Sequence, residues 1–272
     1  MSKIDDLIEK LGDRRIKVRL DASQQLADIG EDAIEPVTNI LVENPDYTYR
    51  RIAAYILGKI GSEESVEVLT DALADDTPDV RKSAAQALKR IGKAAIPSLV
   101  RSLGNISKDV RASAVWALSK MDEEVVPPLV EALHSDVKDV RASAVWALSN
   151  IGDPAIGPVA DLIDHPDKNV RETAIWCLSK IGRPAVEHLA DKWDVRIGKE
   201  AKEGESEIDS VDVDDLMRGG ERDIKQWIKF MLAHKSEEDE DESEDFDESE
   251  TEQEEDVAED PSSEDEDSET LN

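Results

Sequence analysis

The segment KDVRASAVWALS occupies residues 108–119 and recurs, letter for letter, at residues 138–149. Looser copies extend the pattern in both directions, and the six copies span residues 17–30, 48–61, 79–92, 109–122, 139–152 and 169–182. An arginine marks every copy at intervals of 30 or 31 residues: Arg19, Arg50, Arg81, Arg111, Arg141 and Arg171. A constant period of this length predicts stacked supersecondary units.

Each copy has the pattern of one amphipathic helix. Val110, Ala114, Ala117, Leu118 and Met121 share one face at helical spacing. Residues that favour the N-cap position begin four of the copies, namely Asp79, Asp109, Asp139 and Asn169. Glycines that favour helix termination end five of them, namely Gly30, Gly61, Gly92, Gly152 and Gly182. We call these predicted helices the motif helices.

A second apolar pattern lies between the copies. In AAIPSLVRSLGN, residues 94–105, Ile96, Leu99 and Leu103 share a face, and Pro97 suits the first turn of a helix. Each repeat is therefore predicted to be a pair of helices, and the repeat region to be all-α.

The recurring (D)-V-R-x-x-A-x-x-A-L-x-x-I-G helix, preceded by an A-I-x-P-L/V helix, resembles the HEAT-repeat superfamily. It is most similar to the short HEAT-like repeat first associated with phycobilisome lyases. The resemblance covers residues 3 to about 193. It implies a right-handed α-solenoid of about six helix-pair repeats. Because this superfamily includes enzymes, binding proteins and scaffolds, the resemblance implies a fold and leaves the function open.

The charge of the chain is concentrated at its C-terminal end. The net charge of the 272 residues is −32, and residues 236–272 alone hold 22 Asp or Glu and no Lys or Arg. A segment so poor in large apolar residues cannot offset its ordering entropy, so an intrinsically disordered acidic tail is expected. The predicted organisation is a solenoid at 1–193, a linker at 194–218, an amphipathic helix at 219–235 and the tail at 236–272.

The single cysteine and the hydropathy of the chain bear on its compartment. No basic and apolar leader opens the chain, and no apolar run has the roughly 18 residues that a bilayer span needs. We expect a soluble protein of the reducing cytoplasm. Cys177 occupies the position of Ala117 and Ala147, which predicts a core thiol and not a nucleophile.

A row of aromatic residues lies outside the core arc of the motif helices. On a helical wheel Trp116 points well away from Val110 and Leu118, and equivalent positions hold Tyr55, Trp146 and Trp176. We predict that the motif helices line the concave face of the solenoid and that these rings form a groove for a peptide or an extended segment. In the alternative interpretation each ring packs against the next repeat and only stiffens the stack.

The same face is predicted to be mildly basic. Its predicted charged residues are Arg51, Lys59, Lys82, Arg90, Lys120 and Lys180 against Asp21, Asp28 and Glu172, a net charge of +3. The predicted partner-binding set is Tyr55, Lys82, Arg90, Trp116, Lys120, Trp146, Asn150, Trp176 and Lys180. The rings would act as anchors, the cations would supply charge, and Asn150 would hydrogen-bond an extended backbone.

Such a groove suits an acidic or phosphorylated protein or peptide. The acidic tail is one such ligand, tethered to the groove at an effective concentration up to the millimolar range, so it could gate the site. In the alternative interpretation the tail is solvated and only improves solubility.

Other functions have less support in the sequence. The six motif arginines are expected to pair with acidic groups or helix ends in neighbouring repeats. His134, His165, His188 and His234 are dispersed and none precedes a glutamate, unlike the His-Glu iron motifs of the HEAT-like deoxyhypusine hydroxylases. We predict no catalytic residue, metal or cofactor. Nucleic-acid binding is disfavoured because the tail is acidic and a charge of +3 is small for a phosphate-binding face.

The sequence therefore favours a non-enzymatic protein-binding scaffold or adaptor. Two alternatives stay open. One is a bilin-lyase-like or other HEAT-like enzyme, implied by the resemblance. The other is a chaperone that binds basic proteins through its acidic tail.

Overall fold

The computed structural model describes residues 2–192, in which every regular element is helical. The α-helices are α1 (Lys3–Lys10), α2 (Ile16–Ile29), α3 (Ile34–Glu43), α4 (Tyr47–Ile60), α5 (Val66–Asp71), α6 (Pro78–Ile91), α7 (Ile96–Ser102), α8 (Lys108–Ser119), α9 (Val126–Ala132), α10 (Lys138–Ile151), α11 (Asp153–Ala160), α12 (Lys168–Ile181) and α13 (Arg183–Lys192). Short 3₁₀ segments lie at Gly30–Ala33, Glu63–Ser65, Ala72–Ala74, Gly92–Ala95 and Glu123–Val125.

The helices form two parallel rows, as expected of an α-solenoid. The motif helices are the even-numbered α2 to α12, and each packs beside the next. The shorter odd-numbered helices pack in a second row from α5 to α13. Six helix pairs result, and α13 follows the last pair and lies on α11 and α12. The predicted all-α solenoid of about six repeats is confirmed.

The core is one continuous apolar cluster that runs from Leu7 to Ala190 between the two rows. In α8, Val110, Ala114, Ala117 and Leu118 are at most 2% exposed, as their spacing predicts. The predicted face of the shorter helices is also buried, since Leu99 and Leu103 are fully covered and Ile96 is 7% exposed. Pro97 lies in the first turn of α7.

Five motif helices end at a glycine, as predicted. Gly30, Gly61, Gly92, Gly152 and Gly182 are the C-caps and have φ between 73° and 82°, a region in which glycine is favoured.

The exception is α8, where Asp122 takes the place of the glycine. This helix ends at Ser119 and has 12 residues, whereas α6, α10 and α12 have 14 each. Met121 therefore lies beyond the helix and is only partly buried, which corrects its assignment to the helical core face.

The predicted N-caps are wrong by about two residues. Asp79, Asp109 and Asp139 lie inside the first turn, and the caps of their helices are Thr77, Ser107 and Val137. The N-cap of α12 is Asp167, whose side chain accepts a hydrogen bond from the N–H of Asn169.

A local turn precedes each of these helices and positions its first residues. The sequence analysis did not predict this turn. The side chain six residues before each motif arginine accepts a hydrogen bond from the N–H two residues further on, at 2.8–3.2 Å. The acceptors are Asp13, Asn44, Asp75, Asn105, Ser135 and His165. All six are polar, and that regularity is the signal by which the turn could have been found.

The motif arginines hold the same turns. Nη1 of each donates to the carbonyl of the residue six positions earlier, at 2.7–3.0 Å. Three also pair with an acidic residue of the following repeat: Arg50 with Asp75, Arg81 with Asp109 and Arg111 with Asp139. Their predicted structural role is confirmed, although the bonded helix end belongs to the same repeat.

The predicted linker at 194–218, the amphipathic helix at 219–235 and the acidic tail at 236–272 lie outside the described residues. Within residues 2–192, no helix combines the length and the apolarity that a bilayer crossing requires.

Candidate functional site

The predicted aromatic row divides into two open and two partly buried rings. Tyr55 on α4 and Trp146 on α10 are 36% and 49% exposed. Trp116 on α8 and Trp176 on α12 are partly buried and pack against the core. Tyr55 and Trp146 are therefore the open rings of the row, whereas Trp116 and Trp176 contribute to packing.

A cationic side chain from the next motif helix lies over each open ring. Cζ of Arg90 on α6 lies 5.2 Å from the centroid of the Tyr55 ring. Nζ of Lys180 on α12 lies 5.2 Å from the centroid of the Trp146 ring. These distances are within the range of a cation–π interaction, which fixes the ring and leaves a positive charge beside it. Four of the predicted partner-binding residues therefore form two pairs, each of one aromatic ring and one cation: Tyr55 with Arg90, and Trp146 with Lys180.

The pattern is broken at Trp116. Arg90 and Lys180 occupy the same position in their repeats, nine residues after the motif arginine, and the equivalent residue that follows Trp116 is Asn150. Asn150 is exposed, as its predicted role requires. Between residues 2 and 192, no cation lies over the Trp116 ring.

A cleft of about 500 Å³ opens between the C-terminal ends of α8 and α10. Its lining consists of Ser119, Met121, Asp122, Glu123, Glu124, Asn150, Ile151 and Pro154. The early end of α8 contributes to this cleft, because the segment after Ser119 leaves the helix where the other copies continue for two more residues. Three carboxylates and one amide thus border an open cleft one turn beyond Trp116.

A smaller cleft of about 140 Å³ lies one repeat earlier, between the ends of α6 and α8. Lys89, Lys93 and Lys120 line it together with Asp122 and Glu124. Nζ of Lys93 is 3.6 Å from Oε2 of Glu124. The predicted residue Lys120 therefore lines the smaller cleft, while Lys82 is exposed on α6.

The position that Asp21 holds on the predicted basic face is buried in the later repeats. Ser143 and Thr173, three residues after the motif valine, are 6% and 8% exposed. The Ser143 hydroxyl donates to the carbonyl of Leu103 in the preceding repeat at 3.1 Å, whereas the Thr173 hydroxyl donates to the carbonyl of Asn169 in its own helix at 2.8 Å. This position is therefore buried and contributes to packing.

Cys177 is a core thiol, as predicted. It is fully buried, and burial raises the pKa of its thiol to about 12 although Ser149 opposes the shift. A thiol so hard to ionise is not suited to nucleophilic chemistry.

Two histidines that the sequence reading treated as dispersed are in contact. The His134 and His165 rings are 5.0 Å apart in an edge-to-face arrangement. Nδ1 of His165 accepts the N–H of Asp167 at 3.1 Å, so one ring nitrogen already serves the turn before α12. In the described part of the chain, no group of three His, Cys, Asp or Glu side chains is placed to hold a metal ion.

Comparison with known families agrees with this architecture. A model of HEAT repeats matches residues 4–89, 75–149 and 126–197, which together cover more than half of the chain. The chain belongs to the HEAT-repeat family. The family match includes all six motif helices, so the ring and cation pairs lie within the HEAT repeats themselves. No curated protein sequence matches the chain.

Several solved structures are similar to this chain at low sequence identity. An archaeal HEAT-like repeats protein from Thermococcus onnurineus is 16% identical, with 85% of this chain and 97% of that chain covered and a TM-score of 0.40. The complex of CpcE and CpcF of phycocyanin lyase from Nostoc is 20% identical, covering 64% and 96%, with a TM-score of 0.32. A designed armadillo repeat protein is 19% identical, covering 66% and 100%, with a TM-score of 0.30.

Proposed function

We propose that this HEAT-repeat protein is a non-enzymatic scaffold that binds a protein or peptide along the exposed face of its motif helices. Stacked helical repeats commonly present an extended surface to protein or peptide partners. The observation that supports this most directly is Trp146, a tryptophan 49% exposed with Lys180 over its ring. A half-exposed indole of this kind is a typical anchor in protein interfaces.

The partner at this pair is an acidic or phosphorylated segment. Lys180 and Arg90 are exposed beside their rings, so each pair offers an apolar surface and a positive charge in one place. Backbone or side-chain oxygens of a ligand would pair with the cation while its apolar parts contact the ring.

The C-terminal tail of this chain is an intramolecular candidate for the same site. Its 22 carboxylates in residues 236–272 are tethered to the repeats, which favours occupancy without an outside partner. We propose that the tail competes with partners and so gates the surface.

The test is a comparison of Trp146→Ala with Tyr47→Ala. Tyr47 is a similarly exposed aromatic residue, 47% exposed, but lies at the start of α4 away from the ring and cation pairs. We expect proteins captured by the full chain to be lost with Trp146→Ala and retained with Tyr47→Ala. Equal capture by both variants would contradict the proposed surface.

Gating is tested with the chain ended at Lys235. We expect acrylamide to quench the Trp146 fluorescence more strongly after this deletion, and a peptide of residues 236–272 to reverse the change. Partner binding should be unchanged or tighter. If the deletion instead abolishes binding, the tail itself is the binding element, as in a chaperone for basic proteins.

A further inference from the structure

We propose that the motif-helix face recognises a partner segment that carries a phosphorylated side chain at Tyr55 and an apolar side chain at Trp146. This inference rests on the proposed function, because it assumes a protein partner on that face. It goes further in naming the chemistry that each end of the face accepts and the number of residues that separates the two contacts in the ligand.

The first observation is a group of four cations around Tyr55. Arg51 and Lys59 lie one helical turn before and after Tyr55 on α4. Lys82 and Arg90 hold the same two positions on α6, the next motif helix. Within residues 2–192, none of the four forms an ion pair. Four positive charges thus surround one ring without an ion-pair partner in the described part of the chain.

Acidic side chains are scarce beside these cations. α4 has none, and the one on α6 is Asp79 in its first turn. On the preceding motif helix, Asp21 and Asp28 each accept a hydrogen bond from a glutamine of their own helix at 2.7 Å. In a chain whose net charge is −32, this surface therefore attracts an anion from outside the repeats.

The spacing of the four side chains suits a single group at their centre. Positions eight residues apart on one helix are separated by about 12 Å, and packed helices by about 8–10 Å. α4 and α6 pack closely, because Gly58 has no side chain to separate it from Ala87. Lysine and arginine side chains at these four corners are long enough to converge above the ring of Tyr55.

The ring prepares Arg90 for a contact with two oxygens of one group. Cζ of Arg90 lies 5.2 Å from the centroid of the Tyr55 ring, and its guanidinium donates no hydrogen bond within residues 2–192. A phosphorylated side chain carries a charge of about −1.5 to −2 and three acceptor oxygens, whereas a carboxylate carries a single charge. Cations that converge on one point therefore favour a phosphate over a carboxylate.

The same four positions around Trp146 have no net charge. They hold Ala142 and Asn150 on α10, and Glu172 and Lys180 on α12. An anion is therefore attracted less at this end, whereas the half-exposed indole provides an apolar surface. The face thus has a cationic end on α4 and α6 and an apolar end on α10.

The separation of the two ends sets the spacing expected in the ligand. α4 and α10 are three steps apart in the row of packed motif helices, which corresponds to about 24–30 Å. An extended chain advances about 3.3 Å per residue, so roughly seven to nine residues separate the phosphorylated side chain from the apolar one. This spacing distinguishes the proposed ligand from an acidic segment of no particular pattern.

The test is fluorescence anisotropy of a labelled 12-residue peptide with the full chain at physiological salt. The peptide has phosphoserine at its second position, leucine at its tenth, and glycine or asparagine elsewhere. The matched probes replace the phosphoserine with serine or with glutamate, or move the leucine to the fifth position. We expect binding to weaken by about tenfold or more without the phosphate, and by about threefold or more when the leucine is moved.

Substitutions in the chain assign the two contacts. Arg90→Gln and Lys82→Gln should each weaken binding of the phosphopeptide by about fivefold or more, and leave binding of the serine peptide unchanged. Arg101→Gln on α7 and Lys108→Gln at the start of α8 remove an exposed cation elsewhere and should have no such effect. Trp146→Ala should abolish the effect of moving the leucine, while the preference for phosphoserine is retained.

The inference is overturned if the glutamate peptide binds as tightly as the phosphopeptide, or if Arg90→Gln and Arg101→Gln weaken binding equally. Absence of the phosphate preference, in the full chain and in the chain ended at Lys235 alike, overturns it as well. A 12-nucleotide oligothymidylate that binds more tightly than the phosphopeptide would identify a nucleic acid as the ligand and would also count against it.

Failure of the proposed function is a separate result, since it is read from partner capture by Trp146→Ala. The inference fails alone if capture depends on Trp146 but the partners are still captured after phosphatase treatment, or by Arg90→Gln.

Discussion

Arg50 shows how one side chain can hold two repeats together. Its guanidinium donates to the carbonyls of Asn44 and Pro45 in its own repeat, and to both carboxylate oxygens of Asp75 in the next at 2.8 and 3.0 Å. The two side chains of this ion pair are only 13% and 11% exposed. This pair is more buried and shorter than the pairs of Arg81 with Asp109 and of Arg111 with Asp139, and Arg50 also pairs with the exposed Asp76 at 2.8 Å.

We expect Asp75→Asn to lower the free energy of unfolding by about 1–3 kcal/mol, because the largely buried guanidinium of Arg50 loses its buried carboxylate partner and keeps only Asp76, which is 88% exposed. The matched change is Asp139→Asn, where the carboxylate is 58% exposed and 3.6 Å from Arg111. That variant should lose less than about 0.5 kcal/mol, since exposed pairs contribute little. Urea unfolding at neutral pH measures both, and equal losses would contradict the assignment.

The same pair makes stability depend on pH. Burial alone would raise the pKa of Asp75, but the hydrogen bonds from Arg50 and from the N–H of Thr77 outweigh it, and the pKa is lowered from 3.8. Because the pKa of the folded state is the lower one, the contribution is complete above pH 3.8 and is lost as the pH falls through the folded value. The stability difference between the unchanged chain and Asp75→Asn should therefore be the same at neutral and mildly acidic pH and shrink below 3.8.

At the scale of the helices, α4 and α6 approach each other closely at Gly58 and Ala87. A Cβ at Gly58 would lie 2.6 Å from both Cα and Cβ of Ala87, a separation that packed atoms cannot adopt. Gly58 is buried, and other copies of the repeat hold alanine, serine or lysine at this position. The glycine therefore sets the spacing of these two helices.

We expect Gly58→Ala to destabilise the protein by about 1–3 kcal/mol, because the forced separation of α4 and α6 exceeds the gain of roughly 1 kcal/mol in helix propensity. Gly157→Ala on α11 is the control, since a Cβ there meets nothing within 4 Å. Its effect should stay within about 0.5 kcal/mol, as the gain in propensity is offset by the following Pro158. Thermal unfolding of the two variants decides between these expectations.

On the scale of the whole molecule, the stabilising contacts are formed between neighbouring repeats along the solenoid. Each helix pair contacts the pairs on either side, and the core cluster continues from Leu7 to Ala190 through those contacts. Cooperativity in such an array depends on interfaces between neighbours, so a local loss does not have to spread to the far end.

A core substitution near the N-terminal end tests this directly. Leu26→Ala removes a fully buried side chain of α2 and should cost about 2–5 kcal/mol locally. We expect faster hydrogen exchange in α1 to α4, with exchange in α10 and α12 unchanged. Uniformly faster exchange over residues 2–192 would instead show that the array unfolds as a single unit.

The sequence by itself determined the helix pairs, their number and their core face. The repeat period, the glycines that end the helices and the spacing of apolar residues can all be read from the sequence, and they recur in each copy of the repeat. For this reason Val110, Ala114 and Leu118 were assigned correctly to the core from their spacing alone. The structural role of the arginines and of Cys177 followed from their place beside or within that face. Helix starts were misplaced because the turns depend on side chains such as Asn105 and Ser135 that precede the apolar pattern.

Only the tertiary structure decided which members of the aromatic row are open. A helical wheel places Trp116, Trp146 and Trp176 identically, yet Trp146 is 49% exposed whereas Trp116 and Trp176 are partly buried against the core. Lys180 reaches Trp146 across the interface between repeats, whereas the equivalent residue after Trp116 is the uncharged Asn150, which lines a cleft near the early end of α8. These are relations between residues more than 30 positions apart, and they arise only when the repeats are stacked.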